Sequence, residues 1–174
     1  MYGGFKMKKG SKTGLLIILL CLTLSTVLAV EKSHDIIVNI PQYVELDLSE
    51  TSITLGSFMD GTGEIVERLE TLEPLVVTYR CNSQNGWSLT VAASNFEHSV
   101  DPLKTFPVSY LTWGTDSGAI NKPMPLTGEG PAAVVAAGNA LGIQNANIYY
   151  AVNYPENTYA GDYSSIVTYT LIAH

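Results

Sequence analysis

Hydrophobic and polar residues alternate with a period of two along much of the chain after residue 35, as they do in half-buried β-strands. The pattern predicts strands at residues 36–40, 44–48, 53–55, 75–81, 87–93, 108–113, 148–152 and 165–172. Turn signals such as Asp60-Gly61 and Asn85-Gly86 separate these runs. Short strands at this spacing, without a strong amphipathic helix, predict an all-β fold, a single antiparallel β-sandwich of Ig-like type.

Some connections are specified less clearly. Residues 75–81 and 87–93 are predicted to be adjacent antiparallel strands, because the loop between them ends in Asn85-Gly86. Residues 65–72 suit either two helical turns or an irregular strand. Residues 131–141 are alanine-rich, but glycines interrupt them and Val134-Val135 favours a strand. Residues 114–130, rich in Gly and Pro, are predicted to form a long surface loop.

The N-terminus has the three parts of a secretory signal peptide. Four lysines between residues 6 and 12 precede an apolar run, and Val27 and Ala29 suit the −3 and −1 positions of a cleavage site. We expect residues 1–29 to be the signal and residues 30–174 the domain, exported to the cell wall or medium. The apolar core, about 15 residues, is shorter than a bilayer requires, so no membrane span is expected after cleavage. Lipidation of Cys21 is the alternative.

Removal of the signal makes the protein strongly acidic. The whole chain has a formal net charge of −7, whereas residues 30–174 carry five basic and sixteen acidic residues, a charge of −11. Such a surface is unsuited to phosphate backbones, so nucleic acid is not an expected partner. Cys81 is then the only cysteine and is expected to be buried, the alternative being an intermolecular disulfide.

Motifs for catalysis or metal binding are not found in the sequence. His34, His98 and His174 are isolated from other ligand types, and residues 60–64 lack the alternating carboxylates of a calcium loop. No Gly-x-Ser-x-Gly elbow is present, and Cys81 lacks a strand-to-helix setting. We therefore expect a protein that is not an enzyme and that uses no cofactor and no metal.

Aromatic residues give the remaining candidate positions. Trp87 alternates with Leu89 and Val91, which favours a core position over an exposed binding platform. Tyr163, at the entrance to the last strand, suits a tyrosine corner, in which the hydroxyl binds nearby backbone. A candidate binding surface is formed by tyrosines near the last loop: Tyr149, Tyr154 and Tyr159. They suit an interaction surface, but tyrosine is also a good residue for half-exposed strand positions.

Two of these segments together resemble the WxL domain of Gram-positive surface proteins. Trp87-Ser88-Leu89 matches its first motif, and Tyr163, Thr168 and Leu171 match the second. Val167 and Tyr169 stand where the second motif has Leu and Trp. The resemblance implies an adhesion protein held non-covalently by peptidoglycan or by other cell-surface proteins, and the motif residues are expected to belong to the core. The sequence shows no sorting motif and no apolar C-terminal tail.

A fibre-forming, pilin-like subunit is the competing interpretation. Residues 36–40 lie shortly after the predicted cleavage site and are almost entirely apolar. Such a segment can complete the sheet of a neighbouring molecule by strand addition. In that case the protein would assemble with copies of itself.

Overall fold

The computed structural model describes residues 31–174, so the predicted signal peptide at 1–29 and its Cys21 lie outside the described residues. Residues 40–174 form one compact unit, and residues 31–39 lie outside it. The strands, in chain order, are β1 (Val44–Leu48), β2 (Arg68–Glu70), β3 (Leu75–Cys81), β4 (Trp87–Ala93), β5 (Phe96–His98), β6 (Thr105–Phe106), β7 (Leu111–Gly114), β8 (Lys122–Pro123), β9 (Ala133–Gly138), β10 (Ile143–Asn153), β11 (Tyr163–Ser164) and β12 (Val167–Ala173).

These strands form three antiparallel sheets. The largest has the order β1-β3-β10-β7-β8, with β2 paired to the end of β10. The second has the order β12-β4-β9, and a small third sheet has the order β11-β5-β6. Among the described residues, the only helical element is a 3-10 turn at Val108–Tyr110, and none is long and apolar enough to cross a membrane. The predicted all-β antiparallel class is confirmed, and the facing sheets are consistent with a β-sandwich.

The core lies between the first and second sheets, and its residues come from the strict alternation of buried and less buried positions along the strands. Every second residue of β3 and of β4 is buried. Val77 on β3, Leu89 and Val91 on β4 and Ile148 on β10 are completely inaccessible to solvent. Burying such a side chain contributes about 1.5–3 kcal/mol relative to leaving it exposed, so these alternating positions select the inward face of each strand.

The predicted pairing of residues 75–81 with 87–93 is wrong. β3 pairs with β1 and β10, and β4 pairs with β12 and β9. The loop with Asn85-Gly86 therefore crosses from one sheet to the other. The two strands face each other across the core, where the rings of Tyr79 and Trp87 meet edge to face with centroids 4.9 Å apart. Each strand has one fully buried face, and packing these faces together buries more apolar surface than placing the strands side by side.

Several strand boundaries differ from the prediction. Residues 36–40 and 53–55 are not strands. Residues 36–40 have no described strand beside them. Residues 53–55 are followed by Gly56, whose φ of +105° is not that of a strand. Residues 108–110 form the 3-10 turn, closed by a bond from Tyr110 N to the Pro107 carbonyl. Residues 65–72, for which helix and strand were both open, contain the short β2. Residues 131–141 contain β9, the strand that their sequence favoured. The predicted loop 114–130 contains the two-residue β8.

Candidate functional site

The two predicted motifs lie on neighbouring strands. β4 carries Trp87 and Leu89, and β12 carries Thr168, Tyr169 and Leu171. In the antiparallel register Leu89 lies opposite Leu171. Opposite residues of an antiparallel pair project from the same face of the sheet, so both leucines face the core. The motif segments therefore form one structural unit, which their distance in sequence did not reveal.

Trp87 is a core residue, with 6% of its surface exposed. Besides the edge contact with Tyr79, its indole Nε1 donates a hydrogen bond to the Ala140 carbonyl at 3.1 Å. Its ring also lies under Gly138, where an added Cβ would approach to 3.5 Å. The indole thus joins the first sheet, β4 and the end of β9, and it offers no free face to a ligand.

Tyr169 connects the two sheets through its hydroxyl group. The Tyr169 hydroxyl is hydrogen-bonded to the hydroxyl of Tyr150, which projects into the core from β10. Burial raises the pKa of Tyr150 to about 12. Burial, with the nearby Tyr150, raises the pKa of Tyr169 still further above its ordinary value. Both groups are therefore neutral at physiological pH, and each satisfies the other within an apolar core.

Thr168 faces away from the core and is exposed, unlike its neighbour Tyr169, so the expectation that Thr168 belongs to the core is wrong. With Thr90 and Thr170 it belongs to the outer face of the second sheet. None of the strands of this sheet, β12, β4 and β9, contains a charged residue. The charged residues of the first sheet include Glu45, Asp47 and Arg80. The outer face of the second sheet is thus a neutral surface on an acidic protein.

Tyr163 makes the contact expected of a tyrosine corner. Its hydroxyl donates to the Tyr159 carbonyl at 3.0 Å, and its ring packs against Phe106 and the edge of His98. The Ser99 backbone N–H donates to the Asp162 carbonyl at 2.8 Å. These contacts join the 99–104 loop to the 154–162 loop at the same end of the molecule.

His98 fixes the first of these loops from inside. Its Nδ1 accepts hydrogen bonds from the backbone N–H groups of Val100 and Asp101, at 3.1 and 3.2 Å. Its Nε2 lies 3.3 Å from the Ala160 carbonyl. A ring nitrogen that accepts a hydrogen bond carries no hydrogen, so Nδ1 is the acceptor in this arrangement and Nε2 is the nitrogen that can donate to the Ala160 carbonyl.

The three tyrosines of the predicted binding surface lie in different surroundings. Tyr149 is half-buried on β10. Tyr154 packs edge to face on Phe58, with centroids 5.4 Å apart. Tyr159 is 69% exposed, and the Lys104 ammonium lies over its ring, 4.7 Å from the centroid. Of the three, Tyr159 alone offers most of its ring to a partner.

Tyr159 belongs to a group of exposed or half-exposed side chains on the two joined loops, which we call the loop-tip patch. Its members are Val100, Leu103, Lys104 and Tyr159. Val100 and Leu103 are almost fully exposed, at 84% and 92%. The aromatic candidate was visible in the sequence, but Val100, Leu103 and Lys104 were missed, because only the fold brings their loop beside Tyr159.

An open groove of about 620 Å³ lies over β1 and β3. Arg80, in its lining, makes two hydrogen bonds of 2.6 Å to the carboxylate of Glu45. The hydrogen bond from Arg80 holds the pKa of Glu45 below its usual value. The groove's guanidinium is therefore already neutralised by the chain itself.

Asp60 and Cys81 have roles in the fold: Asp60 holds a turn, and Cys81 is buried. Asp60 accepts hydrogen bonds from Thr62 and from the Glu64 N–H, which lower the pKa of its carboxyl group and close a tight turn. The Cys81 thiol is buried. Within residues 31–174 no group of three or more metal-ligating side chains is found.

Comparison with known families and curated proteins gave no match to the chain. Membership of the WxL family therefore stays a prediction that rests on the motif residues. The contacts of Trp87 and Tyr169 give those motif positions a packing role in this fold.

Proposed function

We propose that this chain is an exported, non-catalytic surface protein that attaches non-covalently to the cell wall or to wall-associated proteins, using the loop-tip patch. The observation that carries the proposal is the exposed Tyr159 ring, set among Val100, Leu103 and Lys104 on two joined loops. Exposed apolar and aromatic groups gathered in one place are typical of interaction sites. The Ig-like sandwich and export are parts of the same proposal.

The electrostatics of the chain support contacts of this kind. Residues 30–174 carry a net charge of −11, so ionic attraction to an anionic wall polymer is unfavourable. The loop-tip patch presents mainly apolar surface, since its one cation, the Lys104 ammonium, lies 3.5 Å from the Asp101 carboxylate and is paired with it. An aromatic ring can stack on the apolar face of a sugar or pack against a protein side chain without help from net charge.

A pull-down with purified peptidoglycan tests this proposal. We expect the exported protein to sediment with the walls, and Tyr159→Ala to lose at least tenfold in bound fraction. This variant keeps the Tyr159 carbonyl that receives the Tyr163 hydroxyl, so the fold remains. Leu72→Ala is the matched control, because Leu72 is an exposed apolar residue outside the patch. Equal binding by all three proteins, or binding by none, would refute the proposal.

Self-assembly by strand addition is a second candidate function. It is favoured by the exposure of the apolar side chains in residues 36–40. It can coexist with wall attachment, because the loop-tip patch is not part of that segment.

A further inference from the structure

The segment of residues 36–40, which we call the arm, is apolar but pairs with no strand among the described residues. Ile36, Ile37, Val38 and Ile40 are 76–91% exposed, although such side chains are usually buried. In the structure the arm belongs to no sheet. An extended apolar segment of this kind is stabilised by adding to the edge of a sheet, where its backbone and side chains both find partners.

The arm is followed by a fixed point on the domain. The Asn82 side chain accepts from the Tyr43 N–H at 2.7 Å and donates to the Pro41 carbonyl at 2.9 Å. These bonds hold the chain between the arm and β1. The arm is thus connected to a rigid element by only a few residues, which lowers the entropic cost of presenting it to another molecule.

The free edge of β9 is the described edge best suited to receive it. β9 pairs only with β4 among the described strands. Its sequence, Ala133–Gly138, contains no charge and no proline. Natural sheets usually protect an edge strand with charged residues or proline, and an unprotected apolar edge is a site of strand pairing. Val134 on this strand is also exposed.

The other long edges are protected. β1 carries Glu45 and Asp47 along its five residues, and the Glu45 carboxylate is held by Arg80. An apolar arm paired there would have to pack beside charged groups. β12 is uncharged but lies close to β1 across the side of the molecule, which restricts access to its edge. β9 has neither obstacle.

Electrostatics favour a second copy of the chain as the occupant. Two molecules with a charge of −11 repel one another, so a contact between copies is least unfavourable where both surfaces are uncharged. The arm and the whole β12-β4-β9 sheet contain no charged residue. We propose that the arm of one copy adds as a strand to the β9 edge of a second copy. Because each copy has one arm and one such edge, repetition of this contact produces chains of molecules.

Light scattering after size exclusion, combined with amide hydrogen exchange, tests this inference on the exported protein. We expect the mass to rise with concentration, and the amides of residues 36–40 and 133–138 to gain protection together. Val38→Asp in the arm and Val134→Lys on β9 should each yield a monomer and abolish protection at both segments. Leu72→Asp, which adds a charge at an exposed apolar position elsewhere, should assemble normally.

Two results would overturn the inference. The first is a protein that stays monomeric at all concentrations, whether its arm remains unprotected or is protected by binding its own chain. The second is assembly that survives both Val38→Asp and Val134→Lys. Tyr159→Ala should retain assembly, since the inference does not rest on the loop-tip patch. Loss of wall binding and loss of assembly are therefore separate outcomes.

Discussion

The hydroxyl groups of Tyr150 and Tyr169 are hydrogen-bonded to each other between the two main sheets. Tyr150 belongs to β10 and Tyr169 to β12. Tyr169 stands at the position where the resembled motif has Trp. A tyrosine there requires a polar partner in the core, and Tyr150 supplies it. The pair therefore gives the two sheets a specific contact that fixes their relative position.

Removing one hydroxyl of this pair should destabilise the protein more than removing both. Tyr150→Phe or Tyr169→Phe leaves a buried hydroxyl without its partner, which costs about 1–3 kcal/mol. The double variant leaves none and should approach the parent in stability. Urea unfolding of the four proteins measures this as a double-mutant cycle. Additive losses in the double variant would show that the two hydroxyls do not interact.

The same pair predicts loss of stability in alkali. The pKa of Tyr150 is raised from 10.0 to about 12 in the folded protein. Folding therefore favours the neutral form of Tyr150. The contribution of this group to the free energy of unfolding is complete below pH 10 and is lost as the pH rises through 12. A rise of the pKa from 10.0 to about 12 corresponds to a contribution on the order of 3 kcal/mol.

Thermal unfolding between pH 9 and pH 12 measures this effect, with tyrosinate absorbance to follow ionisation. The Tyr150→Phe, Tyr169→Phe double variant is the control and should lose less stability over this range. An equal alkaline loss in the parent and the double variant would contradict the assignment.

Trp87→Ala should lower the free energy of unfolding by about 3–5 kcal/mol, as expected for a buried aromatic side chain. The variant loses the contact with Tyr79 and the hydrogen bond to the Ala140 carbonyl. Wall binding should disappear only under conditions that unfold the variant. If the variant keeps its melting temperature and loses binding, Trp87 belongs to the binding surface and the core assignment is wrong.

Gly86→Ala should be more harmful than Gly63→Ala. Both glycines have φ +90°, so both substitutions carry backbone strain of about 1–2 kcal/mol. A Cβ on Gly86 would also lie 2.7 Å from the Gly138 carbonyl oxygen, whereas Gly63 has open space. Denaturant unfolding compares the two variants directly. Equal destabilisation would mean that the loop from β3 to β4 does not approach β9 as described.

Alternation predicted the buried faces of β3 and β4 because each residue's burial there follows from its position in one strand. It did not predict that Leu89 lies opposite Leu171, since pairing depends on how distant segments share a core. The Asn85-Gly86 signal describes a local bend and cannot distinguish a hairpin from a crossing between sheets. For the same reason the sequence identified Trp87 as a core residue but did not predict its contact with Tyr79 across the core.

The candidate site divides in the same way. Tyr159 was recognised from its residue type, and Tyr163 from its place before the last strand. The loop-tip patch required the Ser99–Asp162 hydrogen bond that joins two distant loops. The sequence shows that the segments of β4, β9 and β12 contain no charged residue. That they form one neutral surface follows only from their pairing in the second sheet.

The salt dependence of wall binding tests the central claim most directly. The exported protein is bound to purified walls and washed with increasing salt, from well below to well above the physiological concentration of about 0.15 M. Contacts of the loop-tip patch are mainly apolar and aromatic, so the bound fraction should stay constant or increase with salt. Ionic contacts are screened beyond about 8–10 Å under physiological conditions and would weaken steeply. Release at moderate salt would contradict the account and identify a basic partner of the acidic surface.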